Sequence, residues 1–499
     1  MFDRYAHIEK SRNGIGYGMK AEERKNFAYN TIYRLSIIIL PLILTPYISR
    51  TLGAKNVGLY TFSSTIALYF ILFIKLGLDN YGNKSIAVCK DDIKARSKTF
   101  FSIYAMQIIM AILSSITYLL LVFTVFKTGR LIYFIQSIYV LSALFDISWF
   151  FHGLQRFRLT AMRSVMTKLV IIIFTFLFVQ SGEDLWIYTL IMAGSFLLEQ
   201  IILIPFAIVE LSKVKISFRD ITPHIFPNLK LFIPLLALSI YAWMDKLMLG
   251  VITGSTVVVA FYAYAENIIN LPKGILSVLD TIMLPKISIL VAHNKYNEAM
   301  DKMRHSMKIN LFLSHALCFG IAGVAPVFMP WFLGSEYIET VPLTMMLSVT
   351  MIPMSITSII QTHYLIPFSK ESIYMKAVAL GALTNLILNI ILILKLGAFG
   401  AVIGTLGAEI TVCIYELSRV KEIYHLKNLL KDTFPFLICG IMEFMVITAF
   451  SGLNIKVFYI LLLQIFIGGS TYVAFNVLFA LFISKDFKSL KEILYFIKS

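Results

Sequence analysis

Long apolar runs alternate with short polar segments along almost the whole chain. Runs of about 18 or more apolar residues recur, and each is long enough to cross a hydrocarbon core of about 30 Å as a helix. Ten-residue segments of alternating hydrophobicity, the pattern of a membrane β-barrel, are absent from the sequence. Helices satisfy their own backbone hydrogen bonds in lipid. The pattern therefore predicts an all-α membrane protein.

The apolar runs predict fourteen transmembrane helices. They lie at residues 27–48, 58–82, 99–125, 131–151, 165–180, 185–209, 231–250, 257–285, 309–333, 341–366, 373–394, 399–417, 433–451 and 456–482. The polar first 26 residues show no apolar segment that ends in a cleavage site, so we expect no signal peptide there.

Composition and charge support this prediction and orient the chain. The chain is 58% hydrophobic and 14% charged, whereas a soluble domain is about 25% charged. With the amino terminus inside, inner segments hold 34 of the 44 Lys and Arg residues and outer segments hold six. Inner loops of membrane proteins retain positive charge. We therefore predict a multi-pass protein of the cell membrane with both termini in the cytoplasm.

The net charge of +16 follows from the same asymmetry. The basic stretches "CKDDIKARSK", "FHGLQRFRLTAMRSVMTK" and "HNKYNEAMDKMRHSMK" lie in predicted inner loops, where they face anionic lipid. No basic module stands apart from the helices. The charge therefore indicates the lipid bilayer as partner and not a nucleic acid.

Four basic residues fall within the predicted helices: Arg34, Lys75, Lys246 and Lys273. A lysine in hydrocarbon costs about 2.5–3.5 kcal/mol or more unless water or a countercharge compensates it. Arg34 and Lys246 lie near helix ends, so each could extend to water, and Asp245 could neutralise Lys246.

Lys75 and Lys273 lie deeper, and two interpretations remain open. In the first, they line a water-filled cationic cavity. In the second, Lys75 forms a structural ion pair with Asp79, one turn later.

The deep cations also indicate an internal duplication. Aligning Leu52 and Gly53 with Leu249 and Gly250 gives an offset of 197, and aligning Lys75 with Lys273 gives 198. Many transporters build a central site between two such halves. We predict a cytoplasmic tail (1–26), a six-helix bundle (27–210), a linker (211–230), a second, pseudo-symmetric six-helix bundle (231–418), a linker (419–432), two additional helices (433–482) and a second cytoplasmic tail (483–499).

Three stretches resemble the polysaccharide-repeat-unit flippases of the multidrug/oligosaccharidyl-lipid/polysaccharide transporter superfamily. The first is "SRTLGAKNVGLYTFSSTIALYFILFIKLGLDNYGNKSIA", which matches at Arg50, Leu52, Gly53, Gly58, Tyr60, Gly77, Tyr81 and Gly82. The second is "FDISWFFHGLQRFRLTAMRS", which matches at Asp146, Trp149, Gly153 and Gln155. "WMDKLMLG" with Tyr262 resembles the start of the family's second half. His152 departs from the pattern, because the family more often has Gln there.

The resemblance implies two bundles arranged as a V around a central cavity lined by helices 1, 2, 7 and 8. The related flippase of the peptidoglycan precursor has arginines in that cavity and holds the lipid tail along helices 13 and 14. By similarity, the substrate would be an oligosaccharide on undecaprenyl pyrophosphate, moved to the outer leaflet by alternating access for cell-surface polysaccharide synthesis. Glycosyltransferases and a polymerase of the same pathway would then be partners.

On this interpretation, Arg34, Lys75, Lys273 and Lys246 bind the pyrophosphate. Na⁺ or H⁺ is the candidate coupling ion, although the membrane potential alone could drive export. Acids within or at the ends of helices are Asp79, Asp146, Glu199, Asp245, Glu266, Asp280, Glu409 and Glu443, and the coupling or charge-partner candidates are Asp79, Asp245 and Glu266. The candidates for sugar contact are Tyr60, Tyr241, Trp243, Tyr262 and Tyr264, although such residues also form interfacial belts in any membrane protein.

Other chemistry finds little support in the sequence. The four cysteines have no metal or disulfide spacing, and "NGIGYG" lacks the strand and Lys-Ser step of a nucleotide loop. We expect no catalytic residue, metal or bound cofactor, and therefore no enzyme. Two alternatives remain open: a cation-coupled multidrug exporter of the same superfamily, which predicts an acidic and aromatic cavity, and a membrane-embedded polysaccharide polymerase, which the short outer loops disfavour.

Overall fold

The structure, a computed structural model, describes residues 21–420 and 426–481, with side chains at 41–420 except 275 and 278, and at 429–481. Over these residues the chain is helical and has no strand. The α-helices are α1 Ala21–Lys75, α2 Leu78–Val88, α3 Ile93–Thr124, α4 Arg130–Ser142, α5 Ser148–Gly153, α6 Phe157–Phe178, α7 Leu185–Ile201, α8 Ile204–Glu210, α9 Phe218–Thr253, α10 Thr256–Ala292, α11 Tyr296–Leu333, α12 Thr340–Ser348, α13 Met351–Ile360, α14 Glu371–Leu396, α15 Ala398–Arg419, α16 Leu426–Ala449 and α17 Val457–Phe479.

The predicted all-α membrane fold is confirmed, whereas the number of spans is not. Eleven helices of the described chain are long and apolar enough to cross a membrane, or twelve if two segments of α10 that meet at 45° count as one span. Predicted helix 1 and residues 58–75 of predicted helix 2 fall within α1, and predicted helix 4 corresponds to the 13-residue α4. The count of fourteen and the domain boundaries therefore stay predictions.

α1 consists of two helical segments joined at Gly53. This glycine has φ 73° and ψ 166°, outside the helical region. A residue with a Cβ rarely adopts such a positive φ, whereas glycine does so without steric cost. Gly53 therefore lets the chain kink between the two predicted helices.

A second break follows Lys75, where the sequence predicted that the second helix would continue to residue 82. Leu76 has φ 48°, which ends α1, and α2 begins at Leu78. Lys75 occupies the last turn of α1 and Asp79 the first turn of α2. Each charge complements the dipole of its own helix end. The break therefore gives both residues a favourable position independent of any substrate.

The helices form two groups that meet along α1 and α10. In the first group α1 packs against α6, α4 against α7, and α2 against α5; in the second, α14 packs against α15 and α9. α16 and α17 pack against each other and against α11. The apolar core between the two groups contains Phe62 and Ile66 of α1 with Leu249, Val259 and Tyr262 of α9 and α10. Burial of this apolar surface holds the two groups together.

Candidate functional site

Lys75 is held by two carboxylates. Its Nζ lies 2.8 Å from Asp79 Oδ1 and 2.8 Å from Asp146 Oδ2. Asp146, in the turn before α5, also accepts hydrogen bonds from the backbone N (3.1 Å) and the Oγ (2.5 Å) of Ser148. Two carboxylates therefore share one ammonium at the break between α1 and α2. This geometry is that of the structural ion pair, extended by a second acid.

The network continues from Ser148 into the next two helices. Arg163 donates to Ser148 Oγ at 2.8 Å, to the backbone O of Glu199 at 2.7 Å and to Gln200 Oε1 at 2.9 Å. Arg163 is 9% exposed, and a buried guanidinium needs such partners. The stretch from Asp146 to Arg163, which carries part of the family resemblance, therefore fixes the position of α5 and α6 relative to the Lys75 break.

Lys246 pairs with Glu266 and not with its sequence neighbour Asp245. Lys246 Nζ lies 2.6 Å from Glu266 Oε2, and the two side chains are 16% and 19% exposed. Glu266 was a predicted candidate for ion coupling, and Lys246 was a predicted candidate for substrate contact. The structure pairs the two with each other. The pair joins α9 to α10.

Asp245 lies instead in a polar cluster that we call the Asp245 cluster. Its carboxylate accepts hydrogen bonds from Tyr262 Oη (2.5 Å), Thr405 Oγ1 (2.7 Å), Asn385 Nδ2 (3.0 Å) and Asn389 Nδ2 (2.5 Å). Asp245 is 4% exposed. The cluster therefore surrounds the buried Asp245 carboxylate with neutral donors from α10, α14 and α15.

Lys273 differs from Lys75 and Lys246. Its side chain on α10 is partly buried, and its Nζ is beyond 4.0 Å from every carboxylate of the described residues. It interacts electrostatically with Glu409 and, less strongly, with Glu266. Of these three lysines, Lys273 is therefore the one whose ammonium forms no ion pair with a carboxylate of the described residues. The side chain of Arg34 lies outside the described residues.

The aromatic candidates divide into packed and partly exposed residues. Tyr262 is fully buried with its hydroxyl engaged by Asp245, and Tyr264 is 7% exposed beside Tyr337, with ring centroids 5.2 Å apart. Tyr60 packs on Tyr188 at 4.8 Å. In this conformation, Tyr262 and Tyr264 have almost no surface for a sugar.

Two aromatic candidates on α9 keep some exposed surface. Trp243 contacts the ring of Tyr69 edge-on at 5.8 Å, and Tyr241 directs its hydroxyl at the Glu409 carboxyl. Both are partly exposed. Of the five aromatic residues predicted to contact sugar, Tyr241 and Trp243 therefore remain the candidates on the second group of helices.

The two groups of helices touch each other at the end predicted to face outward. Ser49 Oγ donates to the backbone O of Leu333 at 2.7 Å, and Thr256 Oγ1 donates to the backbone O of Lys55 at 3.0 Å. Arg50 donates to the backbone O of Trp331. These bonds join the turn around Gly53 to the ends of α10 and α11. Access between the groups is closed at this end.

Several residues of these clusters were not singled out from the sequence. Asn385, Asn389 and Thr405 are neutral, and no charge marks them as partners of Asp245. Asp146 and Glu409 belonged to the set of eight acids but were not chosen. The two asparagines could have been found by their spacing, since Asn385 and Asn389 lie one turn apart on one face of a helix.

Two groups of membrane helices that meet along α1 and α10, with charged side chains on the facing helices, define a membrane transporter. The chain matches the family described as "Polysaccharide biosynthesis protein" over residues 24–291, more than half of its 499 residues. It belongs to that family, and the predicted resemblance to the oligosaccharide flippases of the superfamily is confirmed.

One relative and two solved structures support this assignment. The "Putative O-antigen transporter" of Escherichia coli (strain K12) is 25% identical over 408 residues, which is 81% of this chain and 98% of the relative. The lipid II flippase MurJ in an inward closed conformation superposes with a TM-score of 0.73 at 18% identity, covering 91% of this chain and 99% of MurJ. An inward-facing multidrug resistance MATE transporter gives 0.55 at 14%, covering 83% and 97%. The relatives are transporters and not enzymes.

Proposed function

We propose that the protein is a flippase that moves oligosaccharide repeat units on undecaprenyl pyrophosphate from the cytoplasmic to the outer leaflet of the cell membrane. The family and its O-antigen transporter relative support the substrate class. The observation that carries the proposal is Lys273, a deep ammonium without an ion pair on a helix that lines the junction of the two groups. The charged headgroup loses its solvation on leaving water, and such an ammonium compensates that loss as a countercharge.

In this proposal Lys273 contacts the pyrophosphate, with Arg34 as the second contact. A pyrophosphate carries about two negative charges, and lysine binds phosphate as a point charge without a bidentate fork. Lys75 and Lys246 already have carboxylate partners at 2.6–2.8 Å. They hold helices in place, and direct contact of either with the substrate would require that its ion pair open.

Alternating access requires contacts that can close one end of the cavity, and the two groups of helices make such contacts at the end predicted to face outward. The bonds of Ser49, Thr256 and Arg50 seal the end that carries few basic residues. We propose that this end faces outward and both termini lie in the cytoplasm, since basic residues concentrate at the opposite end. The cavity would then receive substrate from the cytoplasmic leaflet. Two negative charges that leave an inside-negative cell gain about 2.3 kcal/mol each per 100 mV.

For the coupling ion we propose Na⁺ at the Asp245 cluster. The buried carboxylate has oxygen-bearing neighbours on three other side chains, Thr405, Asn385 and Asn389, and the amide oxygen of Asn389 has no hydrogen-bond partner among the described residues. Carboxylate, carbonyl and hydroxyl oxygens suit hard cations. If the two amides rotate, their oxygens join the carboxylate around a cation. Asp79 and Glu266 are less suited, because each already pairs with a lysine.

The direct test is translocation by the purified protein in vesicles that contain lipid-linked oligosaccharide. The wild-type chain should expose the oligosaccharide on the far leaflet, as detected by a glycosidase or lectin that cannot enter the vesicle. Lys273→Ala should lower the initial rate at least about tenfold, because about 1.4 kcal/mol of anion binding corresponds to that factor.

The matched control is Lys295→Ala. Lys295 is an exposed lysine paired with Glu298 in a short turn, so its loss should leave the rate unchanged. Equal translocation by empty and protein-containing vesicles would refute the flippase function. A Lys273→Ala variant that translocates at the wild-type rate would refute the anion site alone.

A further inference from the structure

A cavity on the first group of helices has an apolar wall and a basic rim. It lies between α3 and α8 and has a volume of about 260 Å³. α3 contributes Phe101 and Tyr104 to the wall, and α8 contributes Ala207 and Ile208. The residues that line it fall between positions 100 and 213, outside α1, α9 and α10. The cavity is therefore separate from the junction of the two groups, where we place the transport site.

The cavity opens towards the bilayer. Ile208 lines it and is 68% exposed, and the next residue, Val209, is 83% exposed. Apolar side chains that are exposed to this extent mark a surface in contact with the membrane. Sites that enclose a whole small molecule measure about 300–1,000 Å³. A smaller cavity that is open to lipid suits part of one acyl chain.

The polar side chains of the cavity lie together at one end. After α8 the chain passes Ser212 and Lys213, which line the same cavity. The backbone N of Ser212 donates to Ser97 Oγ at 2.9 Å, near the start of α3. Phe101 and Tyr104 lie about one and two turns further along α3. The cavity therefore runs from a polar end at the helix termini to an apolar interior, which is the order of headgroup and acyl chain in a lipid.

Lys213 has no acidic partner among the described residues, because the acid beside it pairs with other cations. Glu210 ends α8, and its carboxylate lies 3.2 Å from Arg96 Nη2 and 2.6 Å from Arg156 Nη2. Lys213 is exposed, and its Nζ lies beyond 4.0 Å from every carboxylate of the described residues. Its ammonium is therefore available to an anionic ligand.

Lys215 adds a second positive charge to the same rim. It lies two residues after Lys213, is exposed, and forms no ion pair with a carboxylate in the described part of the chain. Asp220, the next acid along the chain, has Lys98 Nζ at 2.8 Å. The rim of the cavity thus carries two lysines without a carboxylate countercharge from the described residues.

We propose that the cavity binds one anionic phospholipid, with the ammonium of Lys213 at the lipid phosphate and one acyl chain between α3 and α8. The inference is independent of the proposed flippase function. An acyl chain gains little by moving from neighbouring lipid into the cavity, because both surroundings are apolar. Selectivity therefore comes from the rim, where each lysine favours an anionic over a zwitterionic headgroup about fivefold. A lipid held there ties the segment that leads into α9 to the membrane surface.

Trp149 is a natural fluorescent reporter of this cavity. Its ring stacks on Phe100, which lines the cavity, with ring centroids 5.4 Å apart. Bromine atoms on an acyl chain quench tryptophan fluorescence at close range. The experiment uses the full chain in lipid vesicles, with the other three tryptophans, Trp186, Trp243 and Trp331, replaced by Phe. Quenching is measured with phosphatidylglycerol or with phosphatidylcholine that is brominated on one chain, at constant ionic strength.

The quenching curves yield the binding constant of phosphatidylglycerol relative to phosphatidylcholine. We expect a ratio of about 25, the product of two lysines that contribute about fivefold each. Lys213→Ala should lower the ratio to about five, and Lys213→Ala combined with Lys215→Ala should lower it to about one. Both lysines are exposed, so the variants should fold.

Lys302→Ala is the matched control. Lys302 on α11 is exposed and forms no ion pair with a carboxylate of the described residues, and it lies outside the cavity. Its removal should leave the ratio at the wild-type value. In the chain with all four tryptophans, native mass spectrometry gives an independent reading: less phosphatidylglycerol should remain bound to Lys213→Ala than to Lys302→Ala.

Three results would overturn the proposal. Equal quenching by the two brominated lipids would remove the anionic selectivity. A ratio that Lys213→Ala leaves unchanged, or that Lys302→Ala lowers equally, would assign the selectivity to the general charge of the surface. Recovery of Trp149 fluorescence on addition of an equimolar short prenyl pyrophosphate would identify the proposed substrate, and not a phospholipid, as the occupant.

Discussion

Gly58 lies where the two groups of helices approach each other most closely at the closed end. A Cβ on Gly58 of α1 would lie 1.7 Å from the backbone O of Thr256, the first residue of α10, whereas ordinary contact begins near 3.4 Å. In a Gly58→Ala variant, α1 and α10 must therefore separate by about 1.7 Å at this point. That separation would break the bond from Thr256 Oγ1 to the backbone O of Lys55, now 3.0 Å.

The added methyl group therefore opposes closure. Overpacking of this kind costs about 1–3 kcal/mol, and a bias of that size shifts a two-state equilibrium about 5- to 150-fold. The conformation open at this end lacks the contact and bears no cost. Gly58→Ala should thus increase the open population and slow translocation, since the cycle requires both states.

Pulsed electron resonance between two spin labels measures this shift directly. Lys127 in the first group and Glu339 in the second are exposed positions at the closed end, suitable for labelled cysteines once the native cysteines are replaced. Gly58→Ala should move the distance distribution to longer values. Gly194→Ala is the control, since nothing lies within 4 Å of a Cβ there. A distribution identical to that of the wild type would refute the argument.

Two further substitutions test the charged clusters. Asp146→Asn removes one of the two carboxylates that contact Lys75, and it should lower the free energy of unfolding by about 1–3 kcal/mol and with it the thermal midpoint. Asp301→Asn, in an exposed pair, should change the midpoint little. Equal midpoints for the two variants would contradict a stabilising role of Asp146. We expect Na⁺, and not K⁺, to raise the thermal midpoint of the wild type, and Asp245→Asn to abolish that rise. A variant that keeps the full rise would exclude Asp245 as an ion ligand.

The depth of a charged residue in a helix could be predicted from the sequence, but its partner could not. Lys75 and Asp79 are one turn apart, so their pair was a stated alternative, and the structure has them at 2.8 Å. Asp146 lies in another segment of chain, and no local spacing relates it to Lys75. Similarly, the sequence indicated that Asp245 could neutralise its neighbour Lys246. Successive residues of a helix point in different directions, however, and Asp245 accepts a hydrogen bond from Asn389, 144 residues away.

The predicted equivalence of Lys75 and Lys273 shows the same limit. The offset between the two halves places both lysines near a change of direction in a helix, at Leu76 and within α10. One lysine is bound by two carboxylates and the other by none within 4.0 Å among the described residues. A repeat in the sequence aligns backbone positions, whereas the countercharges come from segments that the repeat does not align.

By itself the sequence determined the class of protein. The lengths of its apolar runs require membrane helices, because the bilayer has a fixed thickness and its interior offers no hydrogen bonds to an unpaired backbone. It also marked the few cations that those helices carry. Only the tertiary structure decided which cation is free for a ligand, because a charge in a medium of low dielectric constant takes its partner from whichever helix lies nearest in space. Lys75 and Lys246 have such partners, whereas the ammonium of Lys273 lies beyond 4.0 Å from every carboxylate of the described residues.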